Sequence, residues 1–157
     1  MKKTTLLLAL ALVLSACGPA ATGSQDDSSN MDEPVASDQY TPPPADQPYA
    51  ARPEDGAWAR GEVFINSADL VARESYPLQV ALQLEGGLPT PCHQLRVAVA
   101  QPDAENRIMV EAYSVVDPAM ICVQVIESFS QTVELGAYAG GRYTVYVNGE
   151  LVGEFDS

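Results

Sequence analysis

From Trp58 to the end of the chain, apolar and polar residues alternate with a period of two. Leu78, Val80, Leu82 and Leu84 alternate with Gln79, Ala81, Gln83 and Glu85. This is the signature of a strand with one buried face. Val63-Phe64-Ile65 and Leu70-Val71 precede it as two shorter apolar runs. Leu95, Val97 and Val99 follow, then Ile108 and Val110, then Val123 and Val125. Phe129, Val133 and Leu135 make a further strand, and Tyr143, Val145 and Val147 the next. Gly86-Gly87, Pro102-Asp103 and Asp117-Pro118 break the pattern as turns. Asn148-Gly149 predicts a tight hairpin, because a type I′ turn needs positive φ at both central residues. Leu151, Val152 and Phe155 supply the returning strand. No stretch carries a capped 3.6-residue period. About seven to nine short strands in about 100 residues predict an all-β fold, an antiparallel β-sandwich.

The first residues follow another pattern. Lys2-Lys3 leads into an unbroken apolar run, Leu6 to Leu14, and then Ser15-Ala16-Cys17. The run suits a signal peptide and is too short to span a bilayer as a mature helix. Leu14-Ser15-Ala16-Cys17 resembles a bacterial lipobox. That resemblance implies cleavage before Cys17, acylation of its thiol, and a membrane anchor on the extracytoplasmic side of the cell envelope. Residues 1–16 then form the leader.

Residues 17–57 read as a lipidated N-terminus and a disordered tether. Gly18 to Ala57 holds seven of the 12 prolines, including Pro42-Pro43-Pro44, and eight carboxylates against Arg52 alone. Such a stretch has too little apolar area to offset its ordering entropy. Tyr40 and Tyr49 flank the proline run and offer a docking peptide as a minor alternative. Residues 58–157 are left as the domain.

Charge narrows the partners. The formal net charge is −13, and loss of Lys2 and Lys3 with the leader takes it to about −15. A chain this acidic is not expected to bind nucleic acid, whose phosphates need clustered cations. Of three cysteines, Cys17 belongs to the leader motif. Cys92 and Cys122 then form an even pair outside the cytoplasm, where a disulfide is expected. A metal or redox pair with His93 is the weaker alternative, since no fourth ligand is in view.

Ala139-Gly140-Gly141-Arg142-Tyr143-Thr144-Val145-Tyr146-Val147 resembles the late-strand signature of immunoglobulin-like and fibronectin-like bacterial domains. In those, a tyrosine often closes a corner. Glu74 to Val80, Pro91-Cys92, Cys122 and the Tyr143-to-Gly149 hairpin together resemble a domain of bacterial envelope lipoproteins. The resemblance implies an immunoglobulin-like sandwich and carries no known activity, so it bears on the fold and not on function. The chain departs from antibody domains: no tryptophan lies between the cysteines, and no Tyr-x-Cys occurs late.

The residues do not assemble a catalytic motif. His93 is the single histidine, no Gly-x-Ser-x-Gly elbow is present, and no glycine-rich phosphate loop with a lysine occurs. The 13 domain carboxylates are scattered with no way to choose a catalytic pair, Met109 and Met120 are too isolated to suggest a copper site, and no cofactor is expected. The expectation is a non-enzymatic module that binds a protein or peptide, using the loops Gly86 to Cys92 and Val116 to Ile121, with Tyr113 and Tyr146 as exposed aromatics. An envelope spacer or assembly factor is one alternative. A protease inhibitor presenting Gly86 to Cys92 is another. Ligand and oligomeric state are not legible.

Overall fold

The computed structural model describes residues 39–157. The leader, Cys17 and the tether up to residue 38 lie outside the described residues. Nine strands follow in chain order: β1 (Tyr40–Thr41), β2 (Ala59–Gly61), β3 (Phe64–Arg73), β4 (Leu78–Leu88), β5 (Gln94–Val99), β6 (Arg107–Val116), β7 (Glu127–Tyr138), β8 (Arg142–Val147) and β9 (Glu150–Asp156). One 3-10 turn, Pro53–Ala57, precedes β2. The strands form two sheets, so the fold is the expected all-β sandwich. One sheet runs β1-β7-β4-β3. In the other, β6 is central, with β5 on one edge and β2 and β8 sharing the opposite edge, and β9 lies beyond β8. Every pairing is antiparallel except β6 with β8.

The alternation seen in the sequence sorts β8 and most of β6 into a wet and a dry face, while β4 buries Val80, Ala81 and Leu82 in succession. Leu82, Leu84, Ile108, Val133, Leu135 and Val145 are fully buried between the sheets. Each such side chain contributes roughly 1.5–3 kcal/mol relative to exposure. Tyr138, Tyr143 and Phe155 close the core at one end, with ring centroids 4.7–5.2 Å apart. The Tyr143 hydroxyl donates to the Gly140 carbonyl at 3.0 Å, the corner that its glycine-flanked position implied. The Tyr138 hydroxyl donates to the Leu135 carbonyl at 3.0 Å, and burial pushes this phenol far above its ordinary pKa.

Three predicted boundaries shift. Phe64-Ile65 and Leu70-Val71 belong to one strand, β3, interrupted only by a bulge between Ile65 and Ser67, and Val63 lies just before it. Gly86-Gly87 does not end β4, which continues to Leu88. Glycine is required there by crowding: a β-carbon on Gly86 would sit 2.1 Å from the Phe64 carbonyl oxygen and 2.9 Å from the Phe129 ring. Val123 and Val125 do not form a strand. They lie in the β6–β7 connection, and β7 begins only at Glu127.

The largest correction concerns the tether. Residues 39–57 are not a free linker but a strap packed on the sandwich. Thr41 and Tyr40 pair with Ala137 and Tyr138 of β7. Gly136 makes room for them, with φ at 123° and a would-be β-carbon 2.5 Å from the Thr41 carbonyl oxygen. Pro42-Pro43-Pro44 then stops the pairing, because proline offers no N–H to a ladder. Tyr49 is 4% exposed and joins the two sheets. Its carbonyl accepts from the Val97 N–H of β5 at 2.9 Å, and its hydroxyl accepts from the Glu134 N–H of β7 at 2.8 Å. Tyr40 and Tyr49 are thus docked on their own domain, which leaves them no role as an outward docking peptide in this state. In the 3-10 turn, Asp55 pairs with Arg96, and the chain then enters β2.

Candidate functional site

Asn148 shows how the sheet keeps its central strand paired. Along one edge of β6, Arg107 to Val110 pairs with β8 and Ser114 to Val116 pairs with β2. Ala112 falls in the gap between them. The Asn148 carboxamide fills it: Ala112 N–H donates to Oδ1 at 2.8 Å, and Nδ2 donates to the Ala112 carbonyl at 3.0 Å. The side chain thereby stands in for one residue of a strand. Its φ of 49°, followed by 86° at Gly149, is the expected type I′ geometry. The turn was legible in the sequence, whereas the side chain's reach to β6 was not.

A groove of about 900 Å³ opens beside this gap, over the outer face of β6. Arg60, Glu62, Ala98, Met109, Glu111 and Tyr113 contribute to its lining. The Arg60 guanidinium stacks on Tyr113, 3.6 Å from the ring centroid, and pairs with the Glu111 carboxylate. Tyr113 is therefore half-buried under an arginine and does not present that face to a ligand. Tyr146 is on β8, opposite Met109 on β6. Among the described residues the groove's one cation, Arg60, is neutralised within the fold.

The second feature is the disulfide end of the sandwich. Cys92, in the turn between β4 and β5, is bonded to Cys122, in the β6–β7 connection, with Cα atoms 6.1 Å apart. His93 is fixed beside it, with Nδ1 2.8 Å from the Thr90 hydroxyl. Among the described residues no three His, Cys, Asp or Glu side chains gather as metal ligands. The two loops singled out in the sequence meet at this bridge but differ in character. Gly86 to Cys92 is folded in: Gly86, Gly87, Leu88 and Thr90 are buried, so no stiff loop projects as a protease inhibitor would need.

The other loop is larger than expected and faces water. Between Asp117 and Glu127 the chain holds no charged residue. Met120, Val123, Val125 and Ile126 are exposed, and Ile121 is completely so. Phe64 and Ile126 both reach over Gly87, which carries the apolar surface onto the neighbouring sheet. Asp117 shapes the start, accepting from Ala119 N–H at 2.9 Å and, through its carbonyl, from Met120 N–H at 3.1 Å. The bridge at Cys122 pins the middle. In sequence the run resembles a core strand, because an apolar stretch says nothing about which neighbours will cover it.

Compared with known proteins, residues 82–157 match the family model of the ORF11 beta-sandwich domain. The match runs from within β4 to the end of the chain, so it includes the bridge, the apolar connection and the Asn148 turn but not the strap. The chain matches no curated protein and no solved structure.

Proposed function

We propose that this is a lipid-anchored protein of the cell envelope whose sandwich is a non-catalytic module that holds a protein or peptide partner. The anchor reading rests on Lys2-Lys3, the apolar run and Leu14-Ser15-Ala16-Cys17. The binding reading rests on one observation: an uncharged, braced, solvent-facing run from Met120 to Ile126 on an otherwise acidic domain. Contiguous exposed apolar surface on a small domain marks an interaction site more often than a stability feature. Bracing by the bridge lowers the ordering cost on binding. A role as a mere spacer has less support, since the strap folds onto the domain and leaves only residues 18–38 between Cys17 and the described chain.

Two measurements test the two halves separately. Cys17→Ser is expected to move the protein from the membrane fraction to the soluble envelope fraction; unchanged fractionation would refute the anchor. For the module, a photo-crosslinking residue at position 123 is expected to give a discrete adduct in cells. The same probe at Tyr76, which is exposed in the β3–β4 turn, is expected to give none. Adding Ile121→Asp is expected to abolish the adduct from position 123. Equal labelling from both positions, or none from either, would refute this surface as the binding site.

A further inference from the structure

Asn148-Gly149 is chemically the most labile dipeptide in the chain. Glycine's lack of a side chain lets its amide nitrogen approach the preceding carboxamide. Attack of the Gly149 nitrogen on the Asn148 Cγ forms a five-membered succinimide and expels ammonia. Water then opens the ring to aspartate or isoaspartate. In the fold, however, that carboxamide is held by both of its polar atoms on Ala112 of the neighbouring strand, at 2.8 and 3.0 Å. The Asn148 N–H is also held, donating to the Val110 carbonyl at 2.9 Å. The Ala112 N–H polarises the carboxamide carbonyl and so favours attack in principle. Attack still requires the side chain to leave Ala112 and fold back over its own peptide.

We propose that Asn148 is a deamidation site gated by the fold: it is protected while its carboxamide bridges β6, and it reacts when the β8–β9 hairpin opens. The product cannot restore the closed state. A carboxylate at position 148 still accepts from the Ala112 N–H but has no N–H to give the Ala112 carbonyl, and it faces that oxygen with like partial charge. Isoaspartate also adds a backbone atom inside a two-residue turn. An opening event is thereby converted into a permanent covalent mark. No enzyme or cofactor is needed, and the only co-reactant is water.

The test uses the full-length chain. It is incubated at one pH and temperature, folded in buffer and unfolded in concentrated urea, then digested with trypsin. Cleavage after Arg142 releases Tyr143–Ser157, whose only asparagine is Asn148. Mass spectrometry of this peptide reads the conversion. The folded protein is expected to convert at least about tenfold more slowly than the unfolded one. Separately, Asn148→Asp, which mimics the product, is expected to shift the folding equilibrium roughly tenfold toward the unfolded chain, as loss of a partly buried hydrogen bond to the backbone does. Equal conversion rates in buffer and urea would overturn the gate. Wild-type stability in Asn148→Asp would overturn the claim that the product cannot re-form the bridge.

Discussion

Replacing Asp55 by alanine is expected to destabilise the domain by about 3–5 kcal/mol and to release the strap. Arg96 is 1% exposed, so its guanidinium needs partners inside the fold. Asp55 meets it side-on, with Nε–Oδ2 at 2.7 Å and Nη2–Oδ1 at 2.9 Å, and Gln94 and the Leu95 carbonyl accept one further N–H each. Removing one partner of such a buried pair leaves a guanidinium without a counter-charge, which costs about 3–5 kcal/mol. The chain can escape part of this by lifting the strap and letting water reach Arg96. Hydrogen exchange should therefore rise at the Val97 and Glu134 amides that Tyr49 protects. Replacing both partners, Asp55→Leu with Arg96→Met, removes the buried charge altogether and is expected to restore most of the loss. Chemical denaturation of the single and double variants checks this; equal losses in both would show that the pair itself is not the source.

The same pair sets a pH dependence. The Arg96 guanidinium, hydrogen-bonded to Asp55, holds that carboxyl below its ordinary value of 3.8, with help from the Arg52 N–H. A lowered carboxyl pKa contributes stability that is fully present above 3.8 and is lost as pH falls through the lower folded value. Asp103, held down by the Arg107 N–H, and Asp156, held down by the Arg142 guanidinium, weaken in the same range. Their loss is common to wild type and Asp55→Ala. The stability difference between those two proteins is therefore expected to be flat from neutral pH down to about pH 5 and to shrink in stronger acid.

Removing the Cys92–Cys122 bridge is expected to cost roughly 3–4 kcal/mol. The bridge closes a loop of about 31 residues, and the chain-entropy model assigns a loop of that length a stabilisation of this size. For a domain of this length the midpoint should fall on the order of 10–20 °C. The local effect is more informative than the global one. Within residues 121–126 the structure holds no backbone–backbone hydrogen bond, so Cys122 is the main tie on the apolar connection. Hydrogen exchange and protease cutting should increase most between Asp117 and Glu127. They should change little in Gly86 to Leu88, which the β4 ladder holds independently. Cys92→Ser with Cys122→Ser, compared by calorimetry with wild type, decides this; an unchanged midpoint would remove the bridge from the stability argument.

The apolar pattern led to the right fold class because alternation at period two has one economical solution, a sheet with a dry face. The hairpin at Asn148-Gly149, the Tyr143 corner and the cysteine pair were legible for similar reasons: each is a local rule with few exceptions. The candidate site was only half legible. Loop 116–121 is legible as a break in the pattern, but its extension through Ile126 reads as a strand, since Val123, Val125 and Ile126 have the composition of a core. The strap was missed for the opposite reason. Its prolines and carboxylates average to a disordered composition, and composition cannot show that Asp55 has a buried partner 41 residues away.

By itself, then, the sequence determined what short-range physics controls: the alternation that makes strands and the turns that end them. Tertiary structure alone decided which polar groups meet and which apolar ones remain uncovered. Arg96 is buried because a carboxylate from a distant strap reaches it, and Asn148 bridges a gap that exists only where β2 and β8 share one edge of β6. Met120 to Ile126 faces water because, among the described residues, no element is placed over it. Each outcome depends on a contact or vacancy between segments far apart in the chain, and the energy of such contacts is set by burial and geometry rather than by residue type.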